Sequence, residues 1–287
     1  MVYIIIIIMS YKDVIILNAD DSLKYYNEKE YRDDIINLNR NTGVIFSNCD
    51  EISDVSVLSE ACMVKLEWCP NISNISSLSN IYALQLSSCE LGLDIHALCN
   101  IEFLNLHFCR IFGKPISDVS MLSNVRVLNL SHSDNLSDVS KLSNVESLTL
   151  RNCSKIRDVS MLGSVKFLTL DCNNLIDLHG LNNVYHLELI CHSITDVSML
   201  NNVNRLFLYD SLYITDISML TGVKKLFLNN CSKIVDVGML HNLDVLCISN
   251  CKNLVDVSML SNKCEISLNG CNAKITNIGS LTNIKYD

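Results

Sequence analysis

Proline and glycine are scarce in this chain, two and nine in 287 residues. These residues punctuate turns and linkers, and so few of them leave no place to cut the sequence into domains joined by linkers. Positive charge is in deficit as well: 22 Lys and Arg stand against 31 Asp and Glu, a formal net charge of −9. A nucleic-acid grip wants a concentrated basic face, so no nucleic-acid partner is expected. Long apolar runs are missing. Val2–Met9 is apolar but too short to cross a bilayer, and no basic stretch precedes it, so neither a membrane segment nor a cleaved leader is expected. The sequence lacks a phosphate-cradling Gly loop, a Gly-x-Ser-x-Gly elbow and a His-Glu-x-x-His pair. His186 and Glu188, with Cys191 close by, sketch a Cys/His pair, but seven scattered histidines make such neighbours common by chance. Neither an enzyme nor a cofactor is expected.

What the chain has is a period. Leu58, Leu78, Leu98, Leu122, Leu142, Leu162, Leu181, Leu200, Leu220, Leu240, Leu260 and Leu281 recur at near-constant spacing, each four residues after an Asp or Asn. Self-similarity at about twenty residues means one short supersecondary unit stacked repeatedly. Residues 41–283 divide into twelve units, the fifth reading VRVLNLSHSDNLSDVSKLSN. Position 4 is aliphatic in every unit and position 6 is Leu or Ile except at Phe46, with mostly polar residues between them. That spacing gives a strand with one buried face. Positions 12, 15 and 18, such as Ile156, Val159 and Leu162, supply inward aliphatics on the return path. One unit buries these side chains only when a neighbour covers it, so the stack is the cooperative unit.

The stretch Leu168-Thr-Leu170-Asp-Cys-Asn173-Asn-Leu175, with Val165 in the first slot, resembles the leucine-rich repeat core Leu-x-x-Leu-x-Leu-x-x-Asn-x-Leu. Cys49, Cys69, Cys89, Cys109, Cys153, Cys231, Cys251 and Cys271 stand at the Asn place in other units, which resembles the cysteine-containing class of that family. The return segment Ile-x-Asp-Val-Ser-Met-Leu is similar to internalin-type repeats without their proline, and the Ile-, Asn- and Ser-rich wording looks like repeat proteins of giant DNA viruses or amoebae. The resemblance covers roughly 85% of the chain. It implies an α/β-type solenoid coiled as a right-handed superhelix, with a parallel β-sheet on the concave face. Twenty residues leave no room for a full helix on the convex side, so short 3₁₀ or extended segments and little α-helix are expected there. The expected organisation is a single elongated domain: 1–40 an N-terminal cap with degenerate repeats, 41–283 the twelve repeats, and 284–287 a tail.

Two ladders run through the repeats. The fourteen cysteines include no Cys-x-x-Cys, the nearest approach being Cys247-x-x-x-Cys251, so Cys153, Cys231, Cys251 and their counterparts read as structural thiols rather than metal ligands. Reduced thiols, with six Asn-x-Ser sequons that would otherwise carry glycans on the repeat faces, place the chain inside the cell, in the cytoplasm. Asp at position 14, as in Asp158, Asp236 and Asp256, reads as the cap of a short turn; a row of cation-binding oxygens is the alternative.

In the resembled family, strand positions 3, 5 and 7 line the concave face, with 2 and 8 at its margins. Here they hold small or polar residues in most units, but Phe167, Tyr185, His186, Arg205, Phe207, Tyr209, Lys225 and Phe227 gather in units seven to ten. Exposed aromatics rimmed by cations have hot-spot composition for a protein partner; cross-strand packing of the rings is the alternative. A second patch holds Trp68, Phe103, His107 and Phe108, beside an insertion, Arg110–Pro115, that contains Phe112. The expected function is a non-enzymatic, monomeric protein-binding module. The alternatives are a structural, self-associating surface protein, and the substrate-recognition subunit of a ubiquitin ligase whose adaptor motif lies on another chain.

Overall fold

Leu148 and Leu150 alternate with Ser147, Thr149 and Arg151, so an extended segment here has one wholly apolar edge and one polar edge. The computed structural model pairs such segments side by side, all in the same direction. It describes residues 13–17, 42–72, 74–91, 95–111, 113–175, 177–255, 257, 260, 264–271 and 284–286. Phe112, Asp94, Asp256 and most of the expected cap at 1–40 lie outside these. By its packing the chain divides into two compact units, Met1–Leu136 and Ser137–Asp287.

In the first unit, strands Asp13–Leu17, Thr42–Ser47, Met63–Glu67, Ala83–Ser87, Phe103–His107 and Val127–Asn129 pair in chain order, each parallel to the last. In the second, Ser147–Arg151, Phe167–Asp171, His186–Ile190, Arg205–Tyr209, Lys225–Asn229, Val245–Ser249, Glu265–Asn269 and Ile284–Tyr286 do the same. The register brings equivalent positions together: Leu206 against Leu226, Leu208 against Leu228. Leu148, Leu150, Leu168, Leu170, Leu206, Leu208 and Leu226 are all 0% exposed. Each such burial stabilises by about 1.5–3 kcal/mol relative to an exposed side chain.

The return path contains 3₁₀ turns, among them Ser56–Leu58, Ser140–Leu142 and Ser160–Ser164, and no α-helix among the described residues. Each turn closes on a bond from the periodic Leu to the residue three before it, such as Leu162 N to Val159 O at 2.9 Å. The same bond persists where no helix is formed, as from Leu240 N to Val237 O at 3.1 Å. Ahead of each turn, the position-14 side chain accepts from the backbone N–H two residues on. Asp54, Asn74, Asp118, Asp138, Asp158, Asp196 and Asp216 do so to Ser at 2.8–3.0 Å. Asp177 does so to His179 at 2.9 Å, and Asp236 to Gly238 at 2.6 Å. This is an Asx turn immediately before the helix rather than a cap on its first residue, a place held by Val with no side-chain bond.

Most strand exits follow a rule that the aliphatic pattern does not reveal. The residue after the strand is left-handed at Asn48, Trp68, Ser88, Phe108, Asn152, Asp210, Asn230, Asn250 and Gly270, and His132 is so three residues past its strand, all with φ between 52° and 64°. Cys172 and Cys191, after Phe167–Asp171 and His186–Ile190, are not. Their N–H groups then reach the neighbouring strand, as in Trp68 N to Ser87 O at 3.0 Å and Asn230 N to Ser249 O at 2.9 Å. Asn and Asp tolerate this conformation; large side chains adopt it at a cost of about 1–2 kcal/mol. The insertion also has its own structure. Arg110–Ile111 turns through Gly113, φ +70°, onto Lys114–Pro115 as an antiparallel hairpin, and pairs in parallel with Glu90–Leu91.

Candidate surface for partner recognition

Because Cβ atoms alternate across a strand, residues flanking the buried leucines share the open face of the sheet. In the second unit one row across that face runs Phe167, His186, Arg205, Lys225, Val245, and the next runs Thr169, Glu188, Phe207, Phe227, Cys247. Phe207 and Phe227 stack with ring centroids 4.0 Å apart and planes 2° from parallel. His186 stacks on Phe207 from the other side at 4.8 Å, and Tyr209 lies 6.2 Å from Phe207. Phe167 packs at 6.1 Å from Tyr185, and the Arg205 guanidinium sits 5.5 Å over the Tyr185 ring. Of the eight residues expected to form this surface, Tyr185 alone is exposed, at 39%; the other seven are half-buried. The rings shield one another in a continuous stack instead of standing free in solvent.

Glu188 is embedded beside the stack. His186 Nε2 lies 3.3 Å from it and Arg151 3.0 Å, while Thr169 donates its hydroxyl at 3.3 Å. The hydrogen bond from His186, reinforced by Arg151, holds the Glu188 carboxyl below its usual range despite partial burial. Burial pushes the Tyr209 phenol up. No group of three or more His, Cys, Asp or Glu among the described residues is placed to hold a metal ion. No described helix is long and apolar enough to cross a membrane.

The second expected patch is divided by the structure. Trp68 and Phe108 are exposed, 61% and 43%, both at left-handed positions. His107, Phe108 and His132 form a small aromatic cluster with centroids 4.9–6.3 Å apart. Burial, and then the nearby His132, lower the His107 pKa. Phe103 does not belong with them. It is 7% exposed and packs into a cluster with Met63 and Ala83, under the Tyr82 ring at 4.9 Å and the Arg126 guanidinium at 5.6 Å.

The thiols of one ladder point at the backbone of the preceding coil. Cys89 Sγ reaches Leu66 O at 3.4 Å, Cys109 reaches Leu86 O at 3.3 Å and Cys231 reaches Leu208 O at 3.4 Å. Cys251 makes the same contact to Leu228 O at 3.9 Å, and Cys153 bonds Arg151 O at 3.5 Å. None of the fourteen cysteines forms a disulfide. Burial pushes the Cys89 and Cys191 thiols up to about 11 and raises those of Cys109 and Cys172 further. Cys172 and Cys191 stand on the ladder too, facing Leu150 O and Leu170 O. Asn173, which the motif placed at that point, is exposed. Its repeat is one residue short and has no left-handed residue after its strand, which draws Cys172 into the ladder instead.

No protein-family model and no curated protein sequence matches the chain. Solved structures do. An internalin, inlF, from Listeria monocytogenes superposes with a TM-score of 0.57 at 20% identity over 93% of each chain. The functional domain of InlJ from the same organism, described as including a cysteine ladder, gives 0.52 at 16% identity over 85% of this chain and 60% of that one. A TLR13–ssRNA13 complex gives 0.51 at 16% identity, over 95% of this chain and 46% of that one. The chain folds as a leucine-rich repeat solenoid.

Within that solenoid the strand positions that carry the aromatic and basic side chains are those the repeat leaves free of core duty. Sequence reading found these positions and missed the left-handed exits, the Arg110–Pro115 hairpin and the burial of Phe103. The first had a partial signal in the Asn that follows four of the strands, Asn48, Asn152, Asn230 and Asn250. The other two depend on contacts between repeats.

Proposed function

We propose that this solenoid is a non-enzymatic module that docks a protein partner on the concave, open face of its sheet, in the region of Phe167, Tyr185, His186, Arg205, Phe207, Tyr209, Lys225 and Phe227. The observation that carries this reading is the His186–Phe207–Phe227 stack flanked by Arg205 and Lys225. The same row runs on from Phe227 through Cys247 to Ser267, and on the other side, past Glu188, to Thr169; small side chains such as Thr169, Cys247 and Ser267 suffice for a strand that only faces water. Rings and guanidinium groups carry most of the energy where proteins meet. The same reading has the twelve repeats acting as a monomer in a reducing, intracellular compartment, in keeping with fourteen cysteines outside disulfides. The tight stacking also favours a second reading, in which the rings only stabilise neighbouring strands. Affinity capture with wild type and a Phe207→Ala/Phe227→Ala variant of equal foldedness separates the two. Loss of specific proteins from the variant supports docking; recovery of the same proteins in equal amounts leaves the rings a packing role alone.

A further inference from the structure

We propose that the partner presents an extended acidic peptide segment, its carboxylate held between Arg205 and Lys225 and an aromatic or large aliphatic side chain two residues away lying on the Phe207–Phe227 stack. The inference rests on the concave-face reading and adds the chemistry of what binds there.

The first ground is an imbalance of charge. Four cations among the described residues are paired with carboxylates: Lys65 with Glu67 at 2.8 Å, Arg126 with Glu102 at 2.5 Å, Arg151 with Glu188 at 3.0 Å and Lys166 with Glu146 at 3.6 Å. Arg205 and Lys225 have no carboxylate within 4.0 Å among the described residues. They are nevertheless half-buried and directly opposed on adjacent parallel strands. Like charges in that position repel, and water screens them less the more they are covered. The Arg205 Nε is shielded from solvent and has no hydrogen-bond partner. A buried donor left unmade is expensive, so a turn of the guanidinium that brings Nε onto an arriving acceptor gains more here than at an exposed lysine. The carboxylate on the strand beside Arg205, Glu188, is already held by His186, Arg151 and Thr169.

The second ground is spacing. Arg205 and Phe207, like Lys225 and Phe227, are two residues apart on one face of a strand, about 6.6–7 Å along it. An extended peptide repeats its own side chains on one face at that interval. A segment lying along the strands therefore meets the cation pair with residue i and the ring stack with residue i+2. His186 stands next in the row, and beyond it and Lys225 come Phe167 and Val245, with Glu265 after Val245, so the basic strip is one carboxylate wide rather than a track. A nucleic acid needs a row of cations for successive phosphates, and the net charge of −9 repels a polyanion while leaving a short acidic segment attracted locally.

The test is selection from a displayed library of random twelve-residue peptides on the full chain. It is followed by fluorescence anisotropy of the selected synthetic peptides against wild type, Arg205→Gln/Lys225→Gln, Arg205→Glu/Lys225→Glu and Phe207→Ala/Phe227→Ala. Circular dichroism and melting are recorded for each protein. The inference expects enrichment of Asp or Glu two residues from an aromatic or large aliphatic residue. It expects affinity to fall on the order of tenfold or more in the Gln variant, as for a lost charge-assisted hydrogen bond. Peptides with Lys in place of the acid should recover binding on the Glu variant. Where that variant fails to fold, the Gln variant decides alone. Failure to enrich any acidic peptide, or an oligouridine single strand that binds wild type more tightly than the selected peptides, overturns the inference. Neutral selected peptides that still depend on Phe207 and Phe227 overturn the acidic chemistry and leave the docking face standing. Peptides that bind all variants as they bind wild type overturn both.

Discussion

Gly180 tests the packing of coil on coil at a single atom. It stands at φ +88°, ψ −17°, directly before the turn Leu181–Asn183. A Cβ built there would lie 2.1 Å from the Ser160 carbonyl oxygen in the coil before it, against backbone that has no rotamer to change. Gly180→Ala therefore carries two penalties: about 1–2 kcal/mol for the left-handed conformation, and about 1–3 kcal/mol for an overpacked contact. The stiffer unfolded chain returns about 0.4–1 kcal/mol. The expected net loss is about 2–4 kcal/mol, a fall in melting midpoint of roughly 5–12 °C for a unit of this size. Gly113→Ala is the control. It has φ +70° but nothing within 4 Å of the new atom, so only the conformational penalty of about 1–2 kcal/mol applies. Urea unfolding of both variants and wild type, followed by circular dichroism, measures the difference. If Gly180→Ala is as stable as wild type, or costs no more than Gly113→Ala, the close approach of successive coils described above is wrong.

Other expectations follow from the same contacts. Leu208→Ala, at a position 0% exposed, should lose about 2–5 kcal/mol by urea unfolding, while Met219→Ala, 57% exposed, should stay within about 0.5 kcal/mol. Hydrogen bonds from the N–H two residues on depress the carboxyls of Asp138, Asp158, Asp196 and Asp216. A depressed folded pKa gives stability that is present above the ordinary value of 3.8 and lost as the pH falls below it. Melting midpoints recorded from pH 7 to pH 2.5 should thus drop at the acid end. A variant with Asn at all four positions, which keeps the acceptor as Asn74 does, should drop less. On the alkaline side, burial raises Cys89 and Cys191 from 9.0 to about 11. The stability they contribute is complete below about pH 9 and declines between there and pH 11. At pH 8 these thiols should resist iodoacetamide in the native protein and react in urea, as peptide mapping by mass spectrometry would show.

The repeat was legible because its determinants are local. Alternating aliphatic residues at positions 4 and 6, broken only by Phe46, and the interval from Asp or Asn to Leu each describe one coil and recur through the twelve repeats. What the sequence hid involves neighbours. Phe103 reads as a surface aromatic by its place on the open face, yet Tyr82 and Arg126 of adjoining coils cover it. Asn173 matches the repeat motif letter by letter, but the loss of one residue moves Cys172 to the ladder and turns the Asn outward. Arg110–Pro115 reads as a loop; only the presence of Glu90–Leu91 one coil earlier makes it a sheet. The aromatic and basic residues of the candidate surface could be named in advance, whereas their stacking, and the lack of a carboxylate within 4.0 Å of Arg205 among the described residues, come from geometry across strands.

The most direct measurement of the account is calorimetric titration of a captured partner, or of a selected acidic peptide, into wild type and into the Phe207→Ala/Phe227→Ala variant, with the melting midpoint taken on the same samples. The account predicts an affinity loss well above tenfold, as for the loss of central aromatic anchors, alongside a midpoint lowered by only a few degrees. Unchanged affinity in a variant whose midpoint falls would contradict it, and would show the rings to be strand packing and the partner to sit elsewhere.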